Sequence, residues 1–60
     1  MTKDQAVGLI SENLGATTAK SYVEFYKDKS DDVVKESVLE LLTEVIGAKK
    51  AQEKIQSLGA

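Results

Sequence analysis

No proline interrupts this chain and no long β-branched run occurs in it, so nothing forbids helix from one end to the other. Apolar residues recur at three- and four-residue spacing, the period of an amphipathic helix, and the pattern predicts an all-α fold. Glycines supply the punctuation. The first helix opens at Thr2, where Thr2 and Gln5 have capping-box spacing, and stops at Gly15, a natural left-handed cap. Ala6, Val7, Ile10 and Leu14 share its apolar face, Leu9 sits on the flank, and Gly8 falls opposite as an exposed imperfection. Thr17 or Thr18 can cap a second helix whose apolar face is Ala19, Tyr22, Val23 and Tyr26. It ends in the charged Lys27-Asp28-Lys29. Ser30 caps the third, with Asp31 and Asp32 set against the helix dipole.

The third helix carries the stripe Val34, Val38, Leu41, Leu42 and Val45 and runs to Ile46. Beyond Gly47, Ala48, Ala51, Ile55 and Leu58 form another stripe, rotated from the first by more than a quarter turn. A continuous helix drifts far less, so the pattern predicts a kink or break at Gly47. No Ser, Thr, Asp or Asn caps a new helix there, so Gly47 would have to act as both stop and start. The expected fold is a small three-helix bundle, one helical domain over residues 1–60. Its third helix is long and kinked or broken at Gly47, with a short fourth helix if the break is complete. No linker, repeat or low-complexity segment is apparent.

At 60 residues a chain buries only about 60% of its unfolded surface, so packing must be unusually good or a partner must contribute. No Cys or His is present, which removes disulfides and thiolate or imidazole metal sites. No Arg is present to fork onto phosphate. With no Ser–His or Cys–His pair to activate a nucleophile, the expectation is a non-enzyme without cofactor. Asp28, Ser30 and Asp32 fall at ligand positions of a calcium loop, but Val33 stands where Gly is needed and Leu39 where the bidentate Glu belongs, so no metal is expected. The net charge of −2 lacks the basic footprint of a nucleic-acid binder. The opening residues hold no apolar signal region, and no run approaches a membrane span; together these read as a cytoplasmic protein away from the membrane.

The third helix is apolar over about half its circumference, wider than the roughly 100° arc of an ordinary surface helix. Leu39, Leu42 and Ile46 form a seam beside the main stripe. Flanked by Phe25, they are the expected partner-binding surface, for another protein or for a second copy in a homodimer. Glu36, Glu40 and Glu44 form an acidic row that either solvates the helix or meets a basic partner. The alternative is a small helical DNA-binding or transcription-regulating protein, with the two helices from Thr18 to Ile46 as a helix-turn-helix. Its reading helix would then carry Asp31, Asp32, Glu36, Glu40 and Glu44 towards phosphates.

The Leu14-Gly15-Ala16 turn between two helices, with Asp31-Asp32-Val33 opening the third, resembles the layout of ubiquitin-associated domains over about residues 5–46. That resemblance implies partner reading through an exposed apolar turn after the first helix and a patch on the third. Ala16 stands where that family favours an aromatic, and the second helix is long for it. Ser57-Leu58 is similar to part of the Asp-Ser-Leu motif of acyl-carrier proteins, but Gln56 replaces the Asp and the motif lies at the chain's end rather than at a helix start.

Overall fold

The computed structural model describes residues 1–59. It contains four helices: α1 (Lys3–Leu14), α2 (Ala16–Tyr26), α3 (Asp31–Ile46) and α4 (Ala48–Gly59). The chain is all-α, as its periodicity predicts. The break at Gly47 is complete, and the fourth helix is not short but as long as the first.

Local chemistry accounts for the helix starts at α1 and α3. The Thr2 hydroxyl accepts from the Gln5 backbone N–H at 3.1 Å while the Gln5 side chain accepts from the Thr2 N–H at 3.0 Å, a reciprocal capping box. At α3 the Ser30 hydroxyl accepts from the Val33 N–H, and Asp31 and Asp32 occupy the first turn.

The starts of α2 and α4 are different. Neither Thr17 nor Thr18 caps α2, which begins directly after Gly15 with no side-chain cap. Gly15 closes α1 by donating its N–H to Ser11 O, and opens α2 by accepting from the Ala19 N–H. Gly47 does the same between Thr43 O and the Ala51 N–H. The torsions match: φ 96°, ψ 158° at Gly15 and φ 90°, ψ 156° at Gly47. This is not the left-handed helical cap expected from sequence. It is the extended positive-φ region that is essentially reserved for glycine. A single residue thereby turns the chain from one helix into the next.

The matching corners expose a repeat that the sequence reading does not find. Aligned on the two glycines, Leu9, Glu12, Gly15, Ala16 and Ala19 recur as Leu41, Glu44, Gly47, Ala48 and Ala51. The buried positions follow the same register: Ala6, Ile10 and Ala19 in one half, Val38, Leu42 and Ala51 in the other. The molecule is therefore two helix–glycine–helix units. In each unit the two helices pack together, α1 with α2 and α3 with α4, and the units join through α1 against α3. Neither α1 nor α3 alone is the central helix; the pair is.

The core comprises Ala6, Leu9, Ile10, Ala19, Tyr26, Val34, Val38, Leu42, Ala51 and Ile55. Leu9 belongs to it rather than to the flank. Gly8 is exposed and no atom closes on it, so it is the surface imperfection that its position on α1 suggests. Among the described residues no helix is long and apolar enough to cross a membrane.

Candidate partner-binding groove

The joint between α2 and α3 sets the geometry of a concave surface between these two helices. The last turn of α2 tightens, with the Lys27 N–H donating to Glu24 O at 3.3 Å, and the Lys29 N–H follows onto Tyr26 O. The Lys3 ammonium donates to Lys27 O at 2.9 Å, bringing a cation to the negative end of the α2 dipole. Tyr26 then locks the joint. Its ring is buried, and its hydroxyl donates to Ser37 Oγ at 2.8 Å, tying the end of α2 to the second turn of α3. Burial raises the Tyr26 phenol above its ordinary value of 10.0 and outweighs the Ser37 hydrogen bond, which lowers it; the neighbouring Tyr22 adds to the rise.

Held this way, α2 and α3 enclose a groove of about 530 Å³. Tyr22, Phe25 and Ser21 line it from α2, and Ser37, Glu40, Leu41 and Glu44 from α3. The aromatic wall is a cluster. Phe25 meets Tyr22 edge-on at 6.0 Å between centroids and lies 5.7 Å from Tyr26. The Lys29 ammonium sits 5.1 Å from the centre of the Phe25 ring. Phe25 nevertheless keeps 51% of its surface exposed, the most of any large apolar side chain among the described residues.

Of the four residues expected from sequence to form a partner surface, only Phe25 lines this groove. Phe25 is exposed on the groove. Leu42 is fully buried in the core and offers nothing to a partner. Leu39 and Ile46 are partly buried and pack against that core. Both α1 and α4 pack on α3, and α4 adds Ala51 and Ile55 to the core. Leu39 also lies about 200° around the helix from Leu41, so it cannot share the Phe25 groove. Leu41 is the α3 residue that does. It was legible as part of the main stripe, but nothing local marked it as groove-lining.

The acidic row is exposed along its length. The three ion pairs among the described residues are Glu24–Lys27, Asp28–Lys29 and Glu12–Lys54, so none engages Glu36, Glu40 or Glu44. The Asp28 carboxyl, which the calcium pattern would need as a ligand, is held below its ordinary range by its hydrogen bond from Lys29. No group of three or more acidic side chains among the described residues is placed to hold a metal ion.

No family model, curated protein or solved structure matches the chain. The resemblance to ubiquitin-associated domains finds no support in these comparisons. Gly15, Ala16 and Thr17 are exposed at the turn after α1, and none presents a large apolar side chain.

Proposed function

We propose that this chain is a non-catalytic protein–protein interaction module whose contact surface is the α2–α3 groove. The observation that carries the reading is Phe25: a large aromatic side chain, half exposed, on the wall of an open groove in a protein whose core is filled without it. Aromatic anchors of this kind dominate binding energies, and exposing them without a partner works against solubility. The lack of His and Cys argues against catalysis.

The DNA-binding alternative draws support from the short α2–α3 connection. Against it, α3 carries Lys35 as its only cation and exposes Glu36, Glu40 and Glu44. Retention on heparin at low salt is the outcome that would favour it.

The test is paired capture from the native cell with the wild type and Phe25→Ser as baits, backed by sedimentation across a concentration series. The reading expects a defined protein, or a wild-type self-complex, that Phe25→Ser loses while keeping its helix content. Identical behaviour of the two proteins contradicts it.

A further inference from the structure

We infer that the occupant of the α2–α3 groove is a basic amphipathic helix, its apolar face on Tyr22, Phe25 and Leu41 and its Lys or Arg side chains on Glu40 and Glu44. This rests on the docking role proposed for the groove and adds the chemistry of the partner.

The argument comes from comparing the two halves of the molecule. Aligned on Gly15 and Gly47, Glu44 corresponds to Glu12, and Tyr22 and Phe25 correspond to Lys54 and Ser57. In the first of these positions the fold supplies its own cation: Lys54 of α4 reaches Glu12 of α1 at 3.3 Å. At the equivalent place beside Glu44 the cation is replaced by Tyr22. Glu44 therefore lacks the lysine that its counterpart has, and Glu40, where the other half has Gly8, adds a second unpaired carboxylate. The aromatics are also not demanded by the architecture, since the same positions hold Lys54 and Ser57 in the other half. The α2–α3 groove thus presents apolar surface where the other half has an ion pair, and the cation at its aromatic wall, Lys29, pairs with Asp28 rather than with Glu40 or Glu44.

An incoming cation restores that pairing. Glu40 and Glu44 lie one turn apart, a spacing that Lys or Arg residues one turn apart on a partner helix can match. The walls are helices whose backbone groups are spent internally, so recognition falls to side chains, and a groove between two helices accepts a third by ridge packing.

The probe is a 14-residue amidated peptide of Leu and Lys patterned as an amphipathic helix, titrated into the isotope-labelled protein. Two controls accompany it: the same pattern with Glu for Lys, and the same composition scrambled so that no apolar face forms. The inference expects amide shifts clustered at residues 21–25 and 37–44 with the Leu/Lys helix alone. It expects affinity to fall about tenfold in the Glu40→Gln/Glu44→Gln protein and to weaken as salt rises. If the Leu/Glu helix fills the same residues equally well, the charge assignment is overturned while the docking role stands. If the scrambled peptide matches the helix, or the double variant binds undiminished, the inference also fails. Shifts confined to another face overturn both the inference and the docking role.

Discussion

Individual residues fall into two kinds, those whose role is written locally and those whose role depends on a distant partner. Thr2, Gln5 and Ser30 are of the first kind, because a cap acts within one turn, and all three were legible. Gly15 and Gly47 were legible as breaks but not in conformation, since spacing does not report ψ. Their extended positive-φ torsions give a direct expectation. Gly15→Ala and Gly47→Ala should each lose about 1–3 kcal/mol of stability, from backbone strain alone because space for a Cβ is open. Gly8→Ala, on an exposed helical surface, should gain about 0.5–1 kcal/mol. Chemical denaturation of the three variants checks both signs. Tyr26 gives a pH expectation. Its folded phenol ionises above the ordinary 10.0, so the unfolded chain loses that proton first. The contribution is whole below about pH 10 and is lost as pH rises through the folded value. The stability difference between wild type and Tyr26→Phe should therefore hold up to about pH 10 and shrink above it; a difference that stays constant as the pH rises past that point would refute the assignment.

Among elements, α3 shows most clearly what periodicity reveals and what it hides. Its length, its cap and its main stripe follow from periodicity. A wide apolar arc looks the same from sequence whether its cover comes from outside or from the same chain, so the second seam of α3 reads equally as partner surface or as core. Leu42 is covered within the chain, by a core to which both α1 and α4 contribute, and the sequence hides this because the path of the chain after Gly47 depends on one torsion pair. Leu42, in the seam by sequence, lies in the core by structure. The cap at α1 can be tested at this scale. Thr2→Ala removes one half of a reciprocal pair and should cost about 0.5–2 kcal/mol, read from the shift in denaturation midpoint. A change within a few tenths would mean that the first turn frays regardless of its cap.

The whole molecule consists of two similar units joined through α1 and α3, and the division of labour between them is its main feature. Both halves bury small and aliphatic residues at matched positions, which is why the all-helical fold was readable from apolar spacing. The repeat itself was not, because only a few residues recur identically and the two glycines declare themselves only by torsion. The units differ in their outer helices: α4 is bound across to α1 by Lys54 and Glu12, whereas α2 carries the aromatic cluster. If the groove is spare surface, removing its anchor must leave the fold standing. The direct measurement is the unfolding free energy of Phe25→Ser beside Leu42→Ala. The half-exposed Phe25 should cost no more than about 1 kcal/mol, whereas emptying the buried Leu42 site should cost about 2–5 kcal/mol. A loss at Phe25 as large as that at Leu42 would make the aromatic wall part of the core and contradict the account.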